Sequence, residues 1–311
     1  MSKVYVLGSM NIDLTYNVDK IPTKGLTVSA SETFQLVGGK GFNQSVASCW
    51  TGAETSIIGA LGSDSNSSVI RKTLEDRGVD CSHLQMPEGY PTGSAVIFVD
   101  KHGANLIVVH GGANKAVAKR HIDFAAGDFL AAQLETNIDA VQYYFECAKN
   151  AGATTVLNPS PYEQLPAELV QATDIVVANE YEASLLLGCE IAAITELSNE
   201  ISDGIDMLGI KTLVITLGED GAAICTKDSV LPITPFKANT VDTQGAGDAF
   251  LGVFVASLAN GVEIEEAACF ANYTASKCVE VKGSTLASLP NSAEQTRADF
   301  GKTTKQSGGR S

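Results

Sequence analysis

From about residue 115 onward, short apolar runs alternate with helix-length segments, and each run ends in a cluster of polar residues. Phe129–Leu134 ends at Glu135, and Thr154–Leu157 ends at Asn158-Pro159-Ser160-Pro161. Asp174–Ala178 ends at Asn179-Glu180-Tyr181-Glu182, and Leu213–Thr216 ends at Leu217-Gly218-Glu219-Asp220-Gly221. Apolar strands joined by helices such as Ala140–Asn150 build a parallel sheet, which binds ligands along the carboxyl edge of its strands. The pattern predicts an α/β chain, with a mostly parallel central sheet between two helical layers and a cleft along one edge. Val4–Leu7 and Thr55–Leu61 extend it as strands, and Ser65–Arg77 as a helix closed by Gly78. Two β excursions, roughly 12–37 and 90–112, break the alternation. Thr92–Asp100 and Ala104–His110 form a hairpin around Gly103. Together they predict a small β-sheet lid over the cleft. Gly111-Gly112-Ala113-Asn114 leads into helical sequence. Residues 1–300 read as one domain and 301–311, rich in Ser, Gly and Lys, as a disordered tail.

A net charge of −15 over 311 residues argues against nucleic acid and anionic membrane surfaces as partners. It leaves room for a nucleotide, because Mg²⁺, a few lysines and helix N-termini supply local positive potential. The seven cysteines are scattered without a CxxC pair, and the four histidines show no ligand spacing. They read as thiols of a reduced, cytoplasmic protein rather than as a metal site. No apolar run reaches transmembrane length, and no signal-peptide pattern is legible.

Candidate chemistry concentrates in Thr240-Val241-Asp242-Thr243-Gln244-Gly245-Ala246-Gly247-Asp248-Ala249-Phe250, between a β-type run and a long apolar helix. Gly245, Ala246 and Gly247 then sit at a helix N-terminus, where unpaired N–H groups and the helix dipole favour an anion. Asp248 in the first turn is placed to accept a proton from a hydroxyl that attacks a phosphoryl group held there. Taken alone, the string also reads as a tight turn with a capping carboxylate. A second Gly-rich stretch, Gly38-Gly39-Lys40-Gly41-Phe42-Asn43-Gln44, lets backbone approach a ligand and adds a charge and an amide. It is neither a Walker P-loop nor a dinucleotide fingerprint. Asn11 and Asp13, just past the first strand, share one face if extended and could bond a polyol, or could form a local turn.

These motifs, in this order, resemble the ribokinase-like (PfkB-type) family of sugar kinases from about Val4 to Pro290. The resemblance rests on Gly38-Gly39-Lys40-Gly41-x-Asn43-Gln44, Asn158-Pro159-x-Pro161, Asn179-Glu180-x-Glu182, Thr216-Leu217-Gly218-x-x-Gly221 and Asp242-Thr243-x-Gly245-Ala246-Gly247-Asp248. It implies ATP-dependent phosphorylation of a sugar hydroxyl, with Asp248 as base and Gly245–Gly247 as anion hole. Asn11, Asp13, Gly39, Lys40, Asn43 and Glu135 match sugar-contacting positions. Asn179, Thr216, Gly218, Gly221, Gly247 and Asn272 match nucleotide positions, and Glu182 the Mg²⁺ region. Asp242, Gln244, Cys278, Val281, Gly283 and Ser288 match a monovalent-cation site, with K⁺ the plausible ion. The resemblance also implies a homodimer through the lid. Asn11 favours D-ribose over deoxyribose, because an amide left unpaired disfavours a sugar lacking the 2-hydroxyl. A ketohexose, deoxyribose or nucleoside, or a catalytically weak sugar-sensing role, are the alternatives. Four departures from the family pattern stand out. Phe42 replaces a small residue and would crowd the pocket, Ser67 replaces a glycine, Asn272 replaces a histidine of some members, and one extra residue lies between Gly283 and Pro290.

Overall fold

The computed structural model describes residues 2–191, 198–283, 289–290 and 292–307. The chain runs β1 (Val4–Leu7), β2 (Asn11–Val18), β3 (Ala30–Gly38), α1 (Lys40–Trp50), β4 (Thr55–Ala60), α2 (Ser65–Asp76), β5 (Asp80–Gln85), β6 (Gly93–Asp100) and β7 (Asn105–His110). It continues β8 (Phe129–Ala132), α3 (Ile138–Asn150), β9 (Thr154–Leu157), α4 (Ala167–Gln171), β10 (Ile175–Asn179), α5 (Glu180–Leu187), α6 (Asn199–Leu208) and β11 (Thr212–Thr216). The last elements are β12 (Ala222–Cys225), β13 (Val230–Ile233), α7 (Ala246–Ala259), α8 (Ile264–Cys278) and α9 (Ala293–Ser307). Among the described residues the main sheet has nine strands in the order β13-β12-β11-β10-β9-β8-β1-β4-β5. It is parallel from β11 to β5, while β12 and β13 pair antiparallel at one edge.

Alternation along each strand decides which helices it buries. Val4, Val6, Val177 and Val214 face α7 and α8, whose Phe250, Phe254 and Phe270 fill that side. Tyr5 and Leu7 face the opposite way, against Tyr144 and Phe145 of α3. Val176, Ala178, Leu213 and Ile215 face α5 and α6 on that same opposite side. The sheet therefore lies between two helical layers, as its continuous apolar strands require. Helix α7 is buried on nearly every side, consistent with the near absence of polar residues after Asp248.

The second sheet, β3-β2-β6-β7, comes from the two excursions and forms the lid. Strands β2 and β6 pair in parallel, with Asn11 opposite Gly93, so both excursions start from one point. Asp64 anchors that point. It caps α2 by accepting from Ser67 N–H at 3.1 Å, and it accepts from Thr92 N–H at 2.7 Å and Thr92 Oγ1 at 2.7 Å.

Three features differ from the sequence expectations. Gly111–Asn114 leads only into a 3₁₀ turn over Gly112–Ala116, because Asn114 turns its side chain to Met10 N–H and to Asn11 Oδ1. Strands β5 and β12 were not anticipated, while β13 supplies the β-type run expected ahead of Thr240; β12 is four residues long and carries no alternation to read. Within the expected tail, 301–307 continues α9. That helix is tied to the body by Phe300, which packs on Phe270, Tyr273 and Phe236. Residues 308–311 lie outside the described residues.

Hydrogen bonds from Thr92 and Ser67 hold the Asp64 carboxyl below its ordinary value of 3.8 against the opposing effect of burial. Its contribution is complete above that value and is lost as pH falls below it. Asp64→Ala is expected to lower urea-unfolding stability by about 1–2 kcal/mol at pH 7, with the gap to the parent narrowing in acid below pH ~4.

Candidate active site

The end of β1, the start of α1 and the start of α7 converge. Gly39 precedes α1 with φ +97°, a backbone region that favours glycine, and a Cβ there would lie 2.7 Å from the Ser9 carbonyl oxygen. Phe42 N–H donates to that oxygen at 3.0 Å, seating α1 on the end of β1. Two residues on, about 200° around the helix from Lys40, the Phe42 ring enters the core among Ile57, Leu61, Ile70 and Leu74. The expectation that Phe42 crowds the pocket is thereby corrected: it packs under the lid's base and does not line the cleft. Ser67, the second departure, donates its N–H and hydroxyl to Asp64.

Gly245 caps the N-terminus of α7 in a left-handed conformation, φ 76°. Ala246 N–H donates to Thr243 carbonyl at 3.3 Å, and Ala249 N–H to Gly245 carbonyl at 2.8 Å. Asp248 is 8% exposed, and its carboxylate is held from both sides. Asn43 Nδ2 donates to one oxygen at 2.9 Å and Gln44 Nε2 to the other at 3.0 Å. Asn43 Oδ1 is buried without a protein partner.

Between α7 and the ends of β9, β10 and β11 lies a cleft of about 230 Å³. Lys40, Asp248, Glu182 and Asn179 line it, with Thr216, Gly245 and Gly247. Asn179 and Glu182 form a capping box on α5. Glu182 N–H donates to Asn179 Oδ1 at 2.8 Å, and Asn179 N–H to Glu182 Oε2 at 3.1 Å. Beyond Lys40, Glu135 Oε2 accepts from Ser9 Oγ and from Lys40 N–H at 3.3 Å. Burial works against the Lys40 ammonium, but Asp248, Glu135 and Glu182 outweigh it and hold the group above its ordinary value. Burial, aided by the Glu135 carboxylate, pushes the Asp13 carboxyl up to about 6.

The structure thus groups Asn11, Asp13, Gly39, Lys40, Asn43, Glu135 and Asp248 around the cleft end of β1. It places Asn179, Glu182, Thr216, Gly245 and Gly247 in the adjoining cleft. Gly218 and Gly221 form a 3₁₀ turn just beyond Thr216 and do not line that cleft. Nor does Asn272, whose Nδ2 donates to Thr234 carbonyl at 2.9 Å. Asp242 accepts from Gln244 N–H and Gly283 N–H, both at 3.0 Å, and Cys278 carbonyl accepts from Val281 N–H at 3.2 Å. These cation-site candidates share one corner; Ser288 lies outside the described residues. Sequence reasoning missed Ser9, Asn114, Gln133, Thr243 and Leu251. Asn114 and Thr243 stand inside motifs already noted and Ser9 lies just ahead of the Asn11–Asp13 stretch, whereas nothing in the sequence separates Gln133 from a strand residue.

Residues 1–292 match the profile of the pfkB family carbohydrate kinases. A ribokinase of Staphylococcus aureus is 36% identical over 296 residues, covering 93% of this chain and 97% of that protein. A bifunctional ribokinase/ribose-5-phosphate isomerase A of Fructilactobacillus sanfranciscensis is 37% identical over 91% of this chain, which spans 54% of that longer protein. The structure of Arabidopsis thaliana ribokinase complexed with ribose and ATP superposes with a TM-score of 0.85 at 30% identity, covering 96% of this chain and 99% of that one. The fold and the site define a phosphotransferase that acts on a hydroxyl group. The chain belongs to the pfkB family of carbohydrate kinases.

Asp13 carries a stability consequence. Its folded value is raised, so the protein is stabilised by the bound proton, and stability falls as pH rises from 3.8 through about 6. Asp13→Asn is expected to be more stable than the parent by on the order of 2 kcal/mol at pH 8 and by little at pH 4. Urea unfolding at the two pH values measures the difference; equal stability at pH 8 would refute it.

Proposed function

We propose that the protein transfers the γ-phosphoryl group of ATP to the 5-hydroxyl of D-ribose, giving ribose 5-phosphate and ADP. The observation that carries this reading is the placement of Asp248. It stands in the first turn of α7, beside Gly247, with both oxygens held by amides and Lys40 close by. Asp248 takes the hydroxyl proton as the sugar oxygen bonds to phosphorus and the bond to the ADP oxygen breaks. The positive N-terminal end of α7 at Gly245–Gly247, with Lys40, stabilises the charge on the transferring group. Asn11, Asp13, Gly39, Asn43 and Glu135 hold the sugar. Asn43 Oδ1, buried and unpartnered, then receives a sugar hydroxyl. The Asn11 side-chain carbonyl is taken by Asn114 Nδ2 at 2.8 Å, which leaves its amide hydrogens for a 2-hydroxyl.

Thr216 and Asn179 form the nucleotide side in this reading, with Gly218 and Gly221 in the turn just beyond Thr216, while the Asn272 amide is taken up by the Thr234 carbonyl. Among the described residues no group of three His, Cys, Asp or Glu side chains could hold a metal by itself. Glu182, lining the cleft, fits a Mg²⁺ ion carried mainly by phosphate oxygens and water. Such an ion would neutralise phosphate charge. Asp242 is bonded to two N–H groups, so K⁺ at this corner would take mostly backbone carbonyl oxygens. Lid strand β7 exposes Leu106, Ile107, Val108 and Val109, and β3 exposes Phe34 and Leu36. We assign this apolar surface to a second copy of the chain. Among the described residues no helix is long and apolar enough to cross a membrane, and all seven cysteines are free, as the cytoplasm favours.

ADP release across D-ribose, 2-deoxyribose, fructose and adenosine, with potassium and with sodium, tests the reading. Ribose-selective turnover raised by potassium is expected; faster turnover of another acceptor would replace ribose. Asp248→Asn should bind ribose but lose about 10³-fold or more in kcat. Ile107→Asp with Val109→Asp should turn a dimer into a monomer in analytical ultracentrifugation; a wild-type monomer at micromolar concentration would refute the lid interface.

A further inference from the structure

Two buried amides sit behind the proposed base. Gln44 is 1% exposed and Gln133 fully buried, and burying an amide is costly unless it is hydrogen-bonded. Gln44 Nε2 donates to Asp248 Oδ1 at 3.0 Å, and Gln133 Nε2 donates to Gln44 Oε1. Gln133 follows β8 directly and belongs to the sheet edge, whereas Gln44 and Asp248 belong to α1 and α7.

The polarity of this chain of bonds follows from its end. An ionised carboxylate only accepts, so Gln44 turns its NH₂ to Asp248. The Gln44 carbonyl oxygen then faces away and requires a donor, which Gln133 supplies. Gln133 Oε1 remains as a buried acceptor without a partner. An orphaned acceptor is tolerated more readily than an orphaned N–H. Reversing the chain would set the Gln44 oxygen against the carboxylate. Gly8 makes room for the arrangement, since a Cβ there would stand 2.2 Å from Gln133 Oε1.

We propose that Gln133 and Gln44 are positioning residues for phosphoryl transfer. Gln133 fixes the amide plane of Gln44. Gln44, opposite Asn43, fixes the plane of the Asp248 carboxylate and so aims it at the substrate hydroxyl. The inference rests on the reading of Asp248 as the base. Neither glutamine needs to touch sugar or nucleotide, so their loss acts on the chemical step and not on ground-state binding.

Steady-state kinetics with ribose and MgATP on single and double variants test the relay. Gln133→Met keeps the bulk and removes the donor; it is expected to lower kcat by about 5–10-fold with both KM values within about twofold. Gln133→Leu removes the same donor in a branched apolar side chain of similar bulk. The same loss is expected for it, and this variant carries the test if Gln133→Met does not fold. Gln44→Met should lower kcat alone, and adding Gln133→Met to it should change kcat by less than about twofold, because the relay is already cut. Multiplicative losses in the double variant, KM rising as far as kcat falls, or unaltered kcat in both Gln133→Met and Gln133→Leu would overturn the relay while an inactive Asp248→Asn leaves the base in place. Normal turnover of Asp248→Asn would overturn the base and the relay together.

Discussion

The close contact between α1 and α7 underlies the rest of the site. Gly252 lies where a Cβ would come 2.5 Å from the Gln44 carbonyl oxygen and 2.6 Å from Ala47 Cβ. Backbone against backbone at this distance leaves no room for a larger residue. It is what allows two short amide side chains, Asn43 and Gln44, to reach Asp248 on the neighbouring helix. A similar approach sets the other end, where a Cβ on Gly41 would stand 2.5 Å from Gly8 C. One helix is thus pressed against a strand end and a second helix at once, and the chemistry sits at the triple junction.

That junction gathers charge that stability alone would disperse. Glu135, Glu182 and Asp248 lie about Lys40 and stabilise its half-buried ammonium. Asp13 is left with burial and a like charge. A preorganised polar site of this sort lowers the work needed to bind a polyol and a phosphate, and its strain is carried by the apolar layers on both sides of the sheet. The lid depends on the same point, because Asn114 joins Met10 and Asn11 while Asp64 joins the cap of α2 to Thr92. The base of the second sheet is thereby tied to the end of β1, next to Asn11 and Asp13.

Much of this was legible in the sequence. Apolar runs with polar ends marked the parallel strands, the glycine clusters marked the two helix starts, and Asp248 was placed in its first turn from local spacing alone. These are short-range signals: a period of two or of 3.6 residues, a glycine at a positive φ, a capping carboxylate. The excursions read as a separate sheet because Pro22, Gly25 and the Gly103 hairpin contradict a βαβ unit.

What only tertiary structure decided is which polar groups meet. Gln133 has no local mark, because its partner is on a helix far away in the chain. Phe42 was expected in the pocket and lies in the core, since the facing of a helix residue depends on where the helix docks. Asn272 and Asn114 found carbonyl and amide partners that no periodicity encodes. The sequence by itself determined the elements, their order and the chemical inventory, because those follow from local backbone preference and hydrophobic period. The side-chain pairings at the junction were decided by the packing of α1, α7 and β1, because hydrogen bonds between distant residues exist only once the helices have closed on one another.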